Sequence, residues 1–257
     1  MKKRFCFTID DNIRFLRELT ESNAQSIFSH PYAGMLKDLH ERYGVKVQLN
    51  LFYKENGFTL AQMTERFFSE WQENADWLKL SFHSLEETVE PYKNADYQTV
   101  YDDCLAVQKE IKRFAGERVL AKTTTVHYCT TTREGVRALK DNGVQGLLGL
   151  YGTQENPRVS YGCSKKDGEI LRKGEIARYD GVSFMAIHTV LNCFSVSEIL
   201  TRLQEVKMRD KISVMIHEQY FYPDYHLYQE NFKEKLEKTF AFLNESGFQS
   251  VFFEEMI

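Results

Sequence analysis

Short runs rich in β-branched and aromatic residues alternate along the chain with longer stretches in which apolar residues recur every three or four positions. The β-prone runs fall at 4–10, 45–53, 78–83, 119–126, 144–151, 184–190, 212–217 and 249–253. Between them, Val100, Cys104, Val107, Ile111 and Phe114 share one helical face, as do Phe232, Leu236, Phe240 and Leu243. Ser195 with Glu198, and Thr131 with Glu134, read as capping boxes that open two further helices. The first of these places Val196, Ile199, Leu200, Leu203 and Val206 on its buried side. Gly44, Gly116, Gly143 and Gly247 each close a helical stretch just before a β-prone run, where the chain takes a left-handed turn that other residues resist. Helices alternating with strands in this way predict a parallel sheet with crossover helices. The expected fold is α/β: a distorted or incomplete (β/α) barrel of seven to eight parallel strands. A doubly wound open sheet is the competing architecture.

The alternation breaks once. Asp167-Gly168 and Asp180-Gly181 are hairpin-turn signals flanked by short β-prone runs, and they predict a β-hairpin insertion around 152–183. No Pro- or Ser-rich linker and no internal repeat divides the chain, so residues 1–257 read as a single domain.

Composition narrows the function classes. The chain is 42% hydrophobic and 27% charged, with a net charge of −4. That charge provides no basic face for nucleic acid, and no basic amphipathic helix points to a membrane surface. The apolar stretch that begins at Phe5 collapses at Thr8 and Asp10, too short for the core of a signal peptide. The five Cys (6, 104, 129, 163 and 193) are odd in number and include no CxxC pair. They read as free thiols in a reducing compartment, which places the protein in the cytoplasm.

A barrel predicts that reactive side chains gather at the C-terminal ends of its strands. Asp10 and Asp11 end the first run, and His83 ends the third. His127 follows 119–126, His188 lies near the end of 184–190, and His217 ends 212–217. Four of the seven His and an Asp pair therefore fall at one expected mouth. If the chain turns helical after His83, Glu87 shares its face. His83, Glu87 and Asp11 then supply three ligands, the usual protein complement of an open catalytic metal site. Against this, Glu86, Glu87 and Glu90 also suit a helix N-terminus, and Asp10-Asp11-Asn12 also suits a helix cap. The stretch 217–226 packs four aromatics among polar groups, a composition that stacks on sugar faces and hydrogen-bonds hydroxyls. Tyr220 and Tyr222 of that loop, with His127, His188 and Glu218 nearby, are the expected substrate contacts.

These residues resemble the motifs of the polysaccharide deacetylase family, also called the NodB homology or carbohydrate esterase family 4 domain. Thr8-Ile9-Asp10-Asp11 is similar to its first motif, a strand ending in Thr-Phe-Asp-Asp. His83-Ser84-Leu85-Glu86-Glu87 resembles its His-Ser/Thr-x-x-His motif, with Glu in place of the second His. Met215-Ile216-His217 resembles the last motif. The resemblance runs from residue 4 to about 253. It implies a distorted barrel, Asp10 as catalytic base, His217 as general acid, and Asp11 and His83 as metal ligands. It also implies one divalent metal ion: Zn²⁺, or Mn²⁺ or Co²⁺ if Glu87 adds a second carboxylate. Two family motifs have no counterpart. Arg-x-Pro-Tyr, whose Arg holds the base, is replaced by Thr125-Val126-His127-Tyr128-Cys129, and Asp-x-x-x-Trp, which orients the acid, has no match near 146–152.

The expected activity is metal-dependent hydrolysis of a non-peptide C–N bond, in particular deacetylation of an N-acetylated carbohydrate. The alternatives are hydrolysis of another, cyclic amide on the same barrel, and a carbohydrate-binding pseudo-enzyme without turnover. The expected partner is a carbohydrate or other small-molecule substrate, with no nucleic acid and no membrane.

Overall fold

The computed structural model describes residues 2–152 and 160–257. The chain begins with strand β1 (Lys3–Asn12), helices α1 (Arg14–Glu21) and α2 (Pro31–Tyr43), strand β2 (Val47–Phe52) and a small hairpin of β3 (Lys54–Glu55) and β4 (Phe58–Thr59). Helix α3 (Phe68–Glu73), strand β5 (Leu78–Ser84), helix α4 (Tyr97–Phe114), strand β6 (Thr123–Thr124), helix α5 (Arg133–Asp141) and strand β7 (Gly146–Gly149) follow. Helix α6 (Lys165–Arg172) leads to strands β8 (Ala177–Tyr179), β9 (Val182–Ala186) and β10 (Thr189–Val190). Helix α7 (Val196–Val206), strand β11 (Lys211–His217), helix α8 (Phe232–Glu245) and strand β12 (Phe248–Ser250) complete the chain.

Two sheets result. One runs β10-β11-β1-β2-β5, with β12 also paired to β1; the other runs β6-β7-β9-β8. Only β8 in these two sheets is antiparallel to its neighbour. The sheets meet at both sides: a parallel bridge joins Leu80 of β5 to Leu120, and Ile187 and His188 between β9 and β10 bond to Gly149 and Ser213. The architecture is thus the expected incomplete barrel, with every strand that carries a predicted site residue ending at the same mouth. β1 is its axis. Its two edges are filled by β11 on one side and by β12 and then β2 on the other, so eight of its ten residues are buried. The apolar faces read from α4 and α8 are both buried, and Gly44 closes α2 in the left-handed conformation.

Three expectations change. Asp167-Gly168 is no hairpin turn: Ser164 and Asp167 form a capping box and the pair lies inside α6. Reciprocal capping of two orphan N–H groups wins over the local turn preference. Only Asp180-Gly181 turns a hairpin there, with both residues at positive φ between β8 and β9. Residues 153–159 of the expected insertion lie outside the described residues. Helix α5 is capped by Thr132, one residue later than expected, since its side chain accepts from the Gly135 N–H. The Ser195–Glu198 box is present, yet α7 fully buries only Ile199 and Leu203. No helix among the described residues is long and apolar enough to cross a membrane.

Candidate active site

Neighbours on a strand point to opposite faces, so Asp10 and Asp11 should diverge. They do not, because the β1–β2 register slips between Ile9 and Asn12 and Asp11 takes φ 62°. A bulge adds one residue and re-aims its side chain, and Asp is among the few residues that tolerate the left-handed region. Both carboxylates therefore line one pocket of about 330 Å³, together with His83, His127 and His217. Helix capping is not their role. Ile13 is the N-cap of α1 and supplies no side-chain cap. The Asn12 amide instead donates to the Ile9 and Asn50 carbonyls and accepts from the Tyr32 hydroxyl.

The α1 N-terminus is capped from across the barrel by Glu218. Its carboxylate accepts from the backbone N–H of Ile13 (2.8 Å), Arg14 (3.2 Å) and Phe15 (2.8 Å), and from the Tyr222 hydroxyl (2.9 Å). Burial pushes the Glu218 carboxyl up to about 7 against these bonds. Tyr222 is buried and lies under the Arg14 guanidinium, 3.8 Å from its ring centre. Both residues thus brace the segment that follows Asp11, and neither lines the pocket with the Asp pair. Tyr220 does line it. His188 does not: Ser213 N–H bonds its Nδ1 at 3.1 Å and Arg209 faces its Nε2 at 3.3 Å.

Three groups converge at the pocket floor. Asp11 Oδ1 lies 2.9 Å from His83 Nε2 and 3.2 Å from His127 Nδ1, and the two nitrogens are 3.1 Å apart. His83 Nδ1 donates to the Thr125 carbonyl at 2.5 Å, so in the neutral ring Nε2 is a bare lone pair. That lone pair faces a carboxylate oxygen, which is also an acceptor. Asp11 Oδ1 and His127 Nε2 are buried without a hydrogen-bond partner, while Gln219 Nε2 holds the other Asp11 oxygen at 2.7 Å. Acceptors forced together in a buried site repel unless a cation joins them, and one carboxylate with two imidazoles is a donor set that suits a divalent ion. Phe52 packs on both imidazoles, with ring centres 5.3 and 4.9 Å away. The cluster therefore fits a metal ion on its own chemistry.

Glu87 is not among these groups. The chain after His83 bends instead of turning helical, since α4 starts only at Tyr97. Glu87 is exposed on the pocket rim. The helical spacing that brought it to His83 is absent, and His127 fills the third position of the cluster.

Asp10 and His217 flank the cluster. They are register partners on β1 and β11. Asp10 is buried, and burial, with the Asp11 charge beside it, raises its carboxyl well above the usual range, opposed by a 2.6 Å bond from Asn50 Nδ2. Its other oxygen is 4.0 Å from His83 Nδ1. Burial lowers His217, with Asp11 opposing and His127 adding to the effect. His217 Nδ1 is 2.9 Å from Asn192 Oδ1. Burial opposes the ionisation of Asp11, but hydrogen bonds and charge from His127, His217 and His83, when those rings carry a second proton, outweigh that cost and hold it well below the usual range.

No protein-family model matches the sequence, and no curated protein matches it. Solved structures do match. A family 4 acetyl xylan esterase from Clostridium thermocellum, in complex with a cobalt ion, superposes over 99% of this chain and 90% of its own, at 12% identity and a TM-score of 0.56. A peptidoglycan N-acetylglucosamine deacetylase does so over 100% and 88%, at 12% identity and 0.52. The chain has the polysaccharide deacetylase fold. A 4-alpha-glucanotransferase from Thermococcus litoralis shares this architecture over 99% of this chain and 40% of its own, at 13% identity and 0.62, so the fold alone does not choose a reaction.

Two amides hold the residues that flank the cluster. Asn50 Nδ2 donates to Asp10, backed by Gln48, whose Nε2 donates to Asn50 Oδ1 (2.8 Å) and to the Thr123 carbonyl (2.9 Å). Asn192 Oδ1 meets His217 Nδ1. Sequence reasoning passed over both, and Gln219 as well. Two signals were available. Gln48 and Asn50 interrupt an otherwise apolar strand at alternate positions, and Asn192 follows β10 as the His residues follow their strands.

Proposed function

We propose that this protein is a metal-dependent hydrolase of non-peptide C–N bonds that removes acetyl from an N-acetylated carbohydrate. The observation that carries the reading is the buried convergence of Asp11 Oδ1, His83 Nε2 and His127 Nδ1, all within 4.8 Å of one another, between Asp10 and His217. Asp11, His83 and His127 would hold one divalent ion. With one carboxylate and two imidazoles the set suits Zn²⁺, and the case for Mn²⁺ or Co²⁺ that rested on Glu87 lapses. An ion at this position supplies a more acidic bound water and polarises a carbonyl oxygen.

The chain's own groups do the rest. Asp10, raised by burial, is a stronger base than a free carboxylate and takes a proton from the attacking water. Asn50 keeps one of its oxygens fixed, so the other faces the reacting atoms. His217 is a neutral imidazole at rest. It takes a proton from solvent and gives it to the departing amine readily, because its pKa is depressed, while Asp10 returns the water's proton to solvent. Tyr220 and Tyr225 wall the pocket and offer stacking faces to a sugar ring. The free cysteines support a reducing compartment.

The test is metal content of protein purified without chelator, with acetate release from N-acetylated sugars. A stoichiometric divalent ion with acetate release supports the reading. Metal with hydrolysis of other amides only moves it to a different C–N substrate. Metal and sugar binding without turnover of any amide makes the protein a pseudo-enzyme.

A further inference from the structure

Lys235 is anomalous. It is 3% exposed and sits in the first turn of α8, where the helix dipole opposes a cation. No carboxylate lies within ion-pair distance of it among the described residues. An unpaired buried ammonium is costly, and an apolar side chain of similar volume would pack at less expense. Its hydrogen bonds show what it holds. Lys235 Nζ donates to Gln229 Oε1 at 2.6 Å, and Gln229 Nε2 donates to the Asn192 carbonyl at 2.7 Å. Asn192 Oδ1 then meets His217 Nδ1 at 2.9 Å.

We infer that Gln229 and Lys235 are positioning residues for His217, acting through Asn192. The inference rests on the proton-transfer role of His217. An ammonium can only donate, so Gln229 must turn its carbonyl oxygen to Lys235 and its NH₂ to Asn192. The chain of bonds thereby has one direction. Gln229 also donates its backbone N–H to the Tyr220 carbonyl at 3.0 Å, tying the pocket wall to the same relay. Asn192 is held through its main chain, and its side-chain oxygen fixes the proton on Nδ1 of His217. Nε2 is then left unprotonated and free to face the pocket. Asn192, Gln229 and Lys235 also line a groove of about 840 Å³ that contains none of the Asp11 cluster. Water from that groove can fill the space left by a shortened Gln229, so truncation there spares the fold.

The experiment reads the ring nitrogens of His217 by ¹⁵N NMR of histidine-labelled protein, in the wild type, Gln229→Ala and Lys235→Met. The wild type should carry its proton on Nδ1. Both variants should show mixed tautomers, with kcat down by roughly 10²-fold, the cost of a small misplacement, and with KM and metal content unchanged. A wild-type proton on Nε2 overturns the inference, as does a folded Gln229→Ala whose tautomer stays on Nδ1. The tautomer is read without substrate. It decides the inference even if no acetylated sugar is turned over, whereas turnover with an unmoved tautomer refutes the relay and leaves the hydrolase reading intact.

Discussion

The two walls of the pocket use the same residue type at the same kind of position and differ in what lies behind it. On the β5–β6 side, His83 spends Nδ1 on a backbone carbonyl and turns a bare Nε2 toward Asp11 and His127. Buried polar atoms without a hydrogen-bond partner are left over there, Asp11 Oδ1 and His127 Nε2 among them. On the β10–β11 side, His217 meets an amide oxygen, and bonds continue without a gap to α8. His188 is the extreme of that second pattern, with both nitrogens facing scaffold groups. A buried polar group without a partner is expensive, so the first wall presents a donor set that a cation could join and the second is where geometry is being kept. Position at a strand end does not separate these cases; what Nε2 faces does: Asp11 and His127 for His83, Arg209 for His188.

The sharpest way to break this contrast is to remove an acceptor from the open wall. His127→Ala should strip the protein of divalent metal and drop acetate release to background. Its circular dichroism should be unchanged, because His127 lies in a loop turn after β6 and not in a strand. Metal retained at the wild-type level in His127→Ala would show that the crowded acceptors do not form the site. Asp10→Asn is the next largest effect. Asn50 can still donate to the remaining oxygen, so the fold and the metal should survive. The rate should fall by about 10²–10⁴-fold, the usual contribution of a positioned base. Undiminished turnover would move the base elsewhere.

Much of this is legible in the sequence. Strand ends were readable because Asp10, Asp11, His83 and His217 each terminate an apolar run, and a parallel barrel brings such ends together. The α4 and α8 faces and the Asp180-Gly181 turn were readable from local spacing, whereas the same turn signal at Asp167-Gly168 lost to a capping box three residues away. What could not be read depends on backbone irregularity or on partners distant in the chain. The bulge that turns Asp11 beside Asp10 is a property of the β1–β2 pairing, not of either strand. Glu87 was misplaced because a helical step was assumed across residues that bend instead. Glu218 and Tyr222 looked like binding residues because an acid and an aromatic in a polar loop look the same whether they meet a sugar or three orphan N–H groups. Asn50 and Asn192 were missed because an amide has no titration to draw the eye, although here each holds a titratable group by a hydrogen bond.

The satisfied wall yields a smaller, pH-dependent effect. Burial first, and the Arg209 charge second, lower His188 from 6.5 to about 4. Unfolded, that imidazole takes up a proton near its ordinary pKa; folded, it resists until about 4. Between the two the unfolded state binds more protons, so the contribution to stability is complete above 6.5 and is lost as pH falls toward 4. The loss is on the order of 3 kcal/mol across that window. Glu218, raised to about 7, contributes the opposite slope below that pH, so the His188 share is read as a difference: the stability advantage of the wild type over His188→Gln in chemical denaturation should shrink as pH falls from 6.5 toward 4, while acetate release at neutral pH stays within a small factor. A His188→Gln variant that keeps the pH slope and loses activity would return His188 to the substrate.

The smallest effect falls on the rim. Glu87 is exposed, on a bend, and outside the three-group cluster. Surface substitutions without a buried partner change stability by no more than about 0.5 kcal/mol. Glu87→Ala should therefore melt like the wild type and, more to the point, retain its metal through the dialysis that empties His127→Ala. The two variants make a matched pair. Both remove one candidate third ligand from the same pocket, one aimed at Asp11 and His83 and one standing at the edge. If Glu87→Ala loses metal as His127→Ala does, the rim acid swings inward on loading, and the site carries two carboxylates, which would favour harder ions such as Mn²⁺. If it keeps metal but binds sugar less well, Glu87 serves the substrate. An unchanged variant on both counts leaves the open wall defined by Asp11, His83 and His127.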